Sequence, residues 1–204
     1  VNHQEVNGHL WYFRYPITGS DEFLVVATTR PETMLGDTAV AIHPKDKRYK
    51  HLLGESVSLP LTKREIPIIA DEFVDPGFGT GCVKVTPAHD PNDFAIGERH
   101  NLAFINIMNA DASLNSNVPE KYRDMSREDA REAVVNDLEA AGLLETTEEY
   151  IHKVGFSERG SVPIEYYMSD QLFLKMTELS KPALDAVNKG LINFHPTHWV
   201  KTYN

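Results

Sequence analysis

Short runs of aromatic, β-branched and small apolar residues, broken every few positions by Pro, Gly or Asp, dominate the first hundred residues. Residues 9–16 (His-Leu-Trp-Tyr-Phe-Arg-Tyr-Pro) and 22–28 flank the turn signal Thr18-Gly19-Ser20-Asp21 and predict a β-hairpin. Further strand-like runs fall at 38–42, 56–61, 66–70, 82–86 and 103–109. Many short strands at such spacing favour a barrel or a sandwich. The helical period enters later. Ser126 followed by Asp129 is a capping pattern that opens a helix through Ala130, Val134, Leu138 and Ala141, and Gly142 suits its end. A second helical stretch is predicted from about Ser169, with Leu172, Met176 and Leu179 on one face, a break at Pro182, and a short helix stopping at Gly190. The expectation is a β-rich α+β fold, a β-barrel core with peripheral helices. Its boundary is drawn near residue 150, with 1–150 as the core and 151–204 as a return segment packed on it.

Composition narrows the function classes. A chain of 204 residues is long enough to bury a sizeable core without staples, and 41% hydrophobic with 25% charged residues is the balance of an ordinary globular domain. The start Val1-Asn2-His3-Gln4-Glu5 has neither a basic nor an apolar targeting region, and no apolar run is long enough to span a membrane. The single cysteine, Cys82, gives no disulfide framework, and the nine histidines form no H-x-x-x-H pair, so no metal is predicted and a reducing, cytoplasmic setting is. A net charge of −10 argues against a free-standing polyanion binder. If the chain touches RNA, most of the grip comes from elsewhere, and its ends read as cut from something larger.

Three segments gather groups that carry chemistry. Across 28–36 a strand runs into a short helical turn, since Pro31 suits the first helical position and Gly36 a stop. The N–H groups of such a turn suit an anionic or carbonyl oxygen. Equally, Thr29 would cap one turn and Arg30 would be a solvated charge. In Cys82-Val83-Lys84-Val85-Thr86, alternation puts Cys82, Lys84 and Thr86 on one face, either the polar wall of a site or the wet face of an edge strand. The preceding Gly79-Thr80-Gly81 permits a tight turn or a close approach. Asp90-Pro91-Asn92-Asp93 is a helix start whose carboxylates would satisfy orphan N–H groups. Yet Lys84 and Thr86 feed directly into His89, Asp90 and Asp93, so one small region collects a cation, a hydroxyl and two carboxylates. The basic run at 45–51 would meet a phosphate backbone or form the wet face of a surface helix.

The segment Ala27-Thr28-Thr29-Arg30-Pro31-Glu32-Thr33-Met34-Leu35-Gly36-Asp37-Thr38 resembles the threonine-rich motif of the editing domains inserted into valyl-, leucyl- and isoleucyl-tRNA synthetases. The segment from Gly79-Thr80-Gly81 through Ala88-His89-Asp90-Pro91-Asn92-Asp93-Phe94 is similar to their second motif. Pro31-Glu32 and the Lys84-Val85-Thr86-Pro87 form favour the valyl family over the leucyl and isoleucyl alternatives. The resemblance covers nearly the whole chain, departing at Tyr166 and Leu172, where Pro and Trp are expected. The ATP-binding His-x-Gly-His and lysine-rich signatures of the synthetic domain are absent from the chain, so the resemblance implies no aminoacylation by this chain alone.

What the resemblance implies is hydrolytic proofreading of tRNA(Val) carrying threonine at its 3′ end, within a synthetase whose remainder is joined in cis. A pocket shaped for valine cannot strongly reject the near-isosteric threonine, whereas a polar pocket that expects the hydroxyl does the reverse. Carried onto this sequence, Asp93 would pair with the substrate α-ammonium, and Lys84, Thr86 and Asp90 would sense the threonine hydroxyl beside His89. Either carboxylate would reach that hydroxyl. Thr28, Thr29, Arg30 and Thr33 would hold the terminal adenosine and place water against the ester. Neither a covalent intermediate, a metal nor another cofactor is implied. A non-catalytic RNA-docking module is the competing reading.

Overall fold

A computed structural model describes residues 1–203. By internal contacts the chain divides into two compact units, Val1–Met168 and Ser169–Asn204. The boundary drawn near residue 150 falls instead inside a strand. That strand is largely polar, so hydropathy gives little sign of it, and it is held by backbone pairing along its whole length.

The first unit carries two sheets. In the first, β1 (Asn2–Pro16) lies between β2 (Phe23–Thr28) and β7 (Leu144–Phe156), antiparallel to both. The predicted hairpin is the β1–β2 pair, with Trp11 opposite Thr28 and Pro16 opposite Phe23. Alternation turns Phe13, Tyr15, Leu24 and Val26 inward, all 0% exposed. The second sheet has the order β4 (Ser56–Ser58), β5 (Glu65–Ala70), β3 (Ala39–Ile42), β6 (Cys82–Val85), with β3 and β5 parallel and the other pairs antiparallel. Every residue of β3 is buried, and its two faces serve different clusters. Val40 and Ile42 join the larger core with Ala130, Val134 and Leu138, while Ala39 and Ala41 pack with Val74, Val85 and Ile96.

The barrel expectation is corrected here: the fold is mixed α+β with two separate sheets. Closure requires an unbroken ladder of consistent stagger, and the second sheet's strands are too short and too irregularly joined to supply one. Among the described residues the one backbone bridge between the sheets is Ile17–Val57, and side-chain ties such as the Thr80 hydroxyl donating to the Val25 carbonyl add to it. The segment 103–109, expected as a strand, carries a single bridge at Met108, opposite Leu114. Side chains take over the role of a partner strand there. Asn115 and Asn117 donate to the Asn106 carbonyl at 3.0 and 2.7 Å, and the Ile107 N–H donates to a histidine.

Helices α1 (Pro91–His100) and α2 (Arg127–Ala140) start where the caps predict, with Asp90 accepting from the Asn92 and Asp93 N–H groups and Ser126 from that of Asp129. In the second unit are α3 (Met176–Leu179), α4 (Lys181–Asn188) and α5 (Val200–Tyr203). Pro182 opens α4 in its first turn, where its missing N–H costs nothing, and residues 169–175 are not helical. Among the described residues no helix is long and apolar enough to cross a membrane.

Candidate active site

The first motif leaves β2 at Thr28 and winds into a 3-10 turn, Pro31–Gly36, every residue of which is buried. Hydroxyls stitch its entrance. The Arg30 N–H donates to Thr28 Oγ1 at 3.0 Å, and Thr33 Oγ1 donates to the Arg30 carbonyl at 2.9 Å. Thr29 does not cap the turn, since the capping position is Arg30 and no side-chain cap bond forms. Gly36 is closely packed: a Cβ there would sit 3.1 Å from Ile107 and 3.2 Å from Thr86, so those neighbours would have to give way.

Arg30 is not a loose surface charge. Its guanidinium donates to the His89 carbonyl at 2.9 Å and pairs with Glu165, whose other oxygen meets Arg127 at 2.6 Å. Glu32, 0% exposed, is gripped by Arg131 of α2 through two bonds of 2.8 Å. These ties lock the turn to α2 and to the segment after β7, none of which is adjacent in sequence.

On β6 the Lys84 side chain is buried rather than wet, which decides against the solvent-facing edge. Its ammonium donates to Asp37 Oδ1 at 3.1 Å and to Thr86 Oγ1, and Thr86 Oγ1 in turn donates to the same Asp37 oxygen at 2.6 Å. Tyr15 donates to the other Asp37 oxygen at 2.8 Å. Burial pushes the Asp37 carboxyl above its ordinary value, while the ammonium and the two hydroxyls pull it back. Cys82 takes no part in the wall. It lies in the larger apolar core, where burial pushes its thiol up to about 11.

Because β6 ends at Val85, the Thr86 N–H has no ladder partner and donates to Asp93 Oδ2 at 2.8 Å. The second Asp93 oxygen has no protein partner among the described residues. Burial raises this carboxyl to about 6, against the opposing pull of Lys84. Asp90 spends one oxygen on the α1 cap. His89 is occupied on both sides: the Ile107 N–H donates to Nε2 at 2.9 Å, which makes Nδ1 the protonated nitrogen that donates to the Tyr166 carbonyl at 3.2 Å. Burial lowers it to about 4, so the ring is neutral and has no free nitrogen for a substrate.

All nine residues singled out from the sequence, Thr28, Thr29, Arg30, Thr33, Lys84, Thr86, His89, Asp90 and Asp93, line one cavity of about 520 Å³. That is the size of a small-ligand site. Apolar and aromatic walls come from Leu10, Phe73, Phe78 and Tyr150, which the motifs do not announce. Asp37, Glu32 and Glu165 were also missed as partners. The first two stand within the motif, but nothing in their spacing names Lys84 or Arg131 as the cation each meets. The basic run lies outside the cavity, its Arg48 held by Asp46 at 2.6 Å. Among the described residues no three His, Cys, Asp or Glu side chains gather as metal ligands.

A family model described as leucyl-tRNA synthetase, editing domain, matches residues 51–152. The chain is 55% identical over 211 residues to the valine–tRNA ligase of Dechloromonas aromatica (strain RCB), covering 100% of this chain and 22% of that protein. To the valine–tRNA ligase of Thermotoga maritima it is 53% identical over 203 residues, covering 100% of this chain and 23% of that one. The chain therefore spans about a fifth of the length of the curated relatives it matches. The ternary LeuRS–tRNA–LeuAMS complex from Agrobacterium radiobacter K84 aligns with a TM-score of 0.54 over 73% of this chain and 20% of that chain, at 20% identity, a likeness of fold. The chain belongs to the aminoacyl-tRNA synthetase editing-domain family that this model describes, and over its full length it is similar to valine–tRNA ligases.

Proposed function

We propose that the chain hydrolyses the ester of threonine mischarged on tRNA(Val), as the proofreading part of a cytoplasmic synthetase and without a metal or other cofactor. The observation that carries this reading is the convergence, in one cavity, of the half-satisfied Asp93 carboxylate with the Lys84–Thr86 cluster and the threonine-rich turn. The free Asp93 oxygen receives the substrate ammonium, a charge-assisted bond that fixes the ester. Lys84, Thr86 and the second Asp90 oxygen bind the threonine hydroxyl, and a valine methyl in that place leaves unmet the hydrogen-bonding capacity that Asp37 does not already take up.

Thr29 is the hydroxyl that places water. Thr33 has committed its proton to the Arg30 carbonyl and Thr28 accepts from the Arg30 N–H, whereas Thr29 lines the cavity with no protein partner among the described residues. The neutral, doubly bonded His89 is not the base, so catalysis rests on positioning.

Deacylation of Thr-tRNA(Val) beside Val-tRNA(Val), with Asp93→Ala as control, tests the reading. Selective loss of the threonyl ester that vanishes in the variant is the expected result. Equal hydrolysis of both esters, or a variant matching an inert wild type, would overturn it.

A further inference from the structure

We infer that a second groove, beginning at His152, is the subsite for the nucleotide that precedes the terminal adenosine. This rests on the proposed function only for the identity of the strand. The groove, about 670 Å³, runs between the β1–β7 ribbon and the start of α2, and it shares Thr29, Arg30, Asp90 and His152 with the candidate active site. A strand whose last nucleoside fills the first cavity has its next nucleotide across that shared wall.

The wall is built to present a ring. Tyr150 and His152, two apart on β7, face the same side. Their rings stack at 5.9 Å between centroids and 14° between planes. On β1, Gly8 lies opposite Tyr150, and a Cβ there would come within 2.8 Å of His152 Cε1. Glycine therefore lets the imidazole lie against the strand. His152 Nδ1 is buried without a hydrogen-bond partner, so the fold does not hold this ring for its own polar bonding.

Farther along, on the other face of the β1–β7 ribbon, Trp11 adds a second aromatic surface, and Arg30, Arg127, Arg131 and Lys153 line the groove with three carboxylates, Asp90, Glu128 and Glu165. Aromatic faces beside backbone-tracking cations are what an unpaired strand requires. Unlike Arg127 and Arg131, which are held by Glu165 and Glu32, Lys153 lines the groove with no ion-pair partner among the described residues, and it projects from the face of β7 opposite to His152.

The test is equilibrium binding of adenosine and of the dinucleotide CpA to the chain, its His152→Ala and its His152→Phe forms, with circular dichroism to establish folding. Wild type is expected to bind CpA about tenfold more tightly than adenosine, the scale of one base–aromatic stack. That ratio falls to near one in His152→Ala and is kept in His152→Phe. Gly8→Ala, which displaces the ring without removing it, lowers the ratio as well and serves if His152→Ala does not fold. A wild-type ratio near one, or an unchanged ratio in His152→Ala, would overturn the inference. Hydrolysis of threonyl esters is measured separately on the same preparation. Its failure, with the binding ratio intact, would defeat the proposed function and leave the subsite standing.

Discussion

Asp93 joins two demands that pull against each other. Burial holds its carboxyl near 6, yet gripping an ammonium requires it ionised. Hydrolysis of Thr-tRNA(Val) is therefore expected to fall as pH drops through about 6, in single-turnover assays, and Asp93→Asn should be slow at every pH. A rate that stays flat between pH 5 and 7 would remove Asp93 from the ammonium role. Stability follows from the same raised value. The native carboxyl keeps its proton up to about 6, an unfolded one releases it near 4, and the native state thus loses stability as pH rises through that interval. Asparagine retains an oxygen to accept from the Thr86 N–H without the buried charge. Asp93→Asn should accordingly be more stable than wild type at pH 7 by about 2 kcal/mol, with the gap closing toward pH 4 in urea denaturation.

At the scale of elements, the 3-10 turn is tied to α2 through Glu32 and Arg131, and Arg64 also holds it by donating to the Leu35 and Asp37 carbonyls. Glu32 is wholly buried and Arg131, partly exposed, is its bidentate partner. Removing Arg131 leaves the buried carboxylate without its hydrogen-bonded partner and with only Arg30, 3.8 Å away, as a cation. Arg131→Met should cost about 3 kcal/mol, and restoring neutrality with Glu32→Gln in the same chain should recover most of that. The double-mutant cycle in chemical denaturation checks it. Independent, additive losses would mean that the turn and α2 are not coupled through this pair. Because Thr33 lies on the turn and Thr28 and Thr29 lead directly into it, the single variant should also weaken hydrolysis, whereas the double variant should not lose as much.

For the molecule as a whole, both apolar clusters and every candidate site residue lie within Val1–Met168. A fragment ending at Met168 is expected to unfold in one cooperative transition and to bind adenosine as the 204-residue chain does. Loss of cooperativity in the shorter chain would show that the second unit completes the first. The chain's net charge of −10 gives it little electrostatic grip of its own on a polyanion.

Local rules determined a good deal of this protein. The Thr18–Asp21 turn signal sets the β1–β2 hairpin, Asp90 and Ser126 set the starts of α1 and α2, and Pro31 sets the turn, because each acts on backbone groups within a few residues of itself. The motif residues were singled out by the family resemblance rather than by such local rules, and all nine line one cavity. Tertiary structure alone decided which of them are free. Proximity of Ile107 and Tyr166 saturates His89, Asp37 buries itself beneath Lys84, and Glu165 captures Arg30 from 135 residues away. It also decided that the strands form two sheets and no barrel, and that the polar strand β7 pairs with β1 and brings Tyr150 and His152 to the site. Pairing between distant segments is chosen by backbone geometry and shared burial, which no window along the sequence contains.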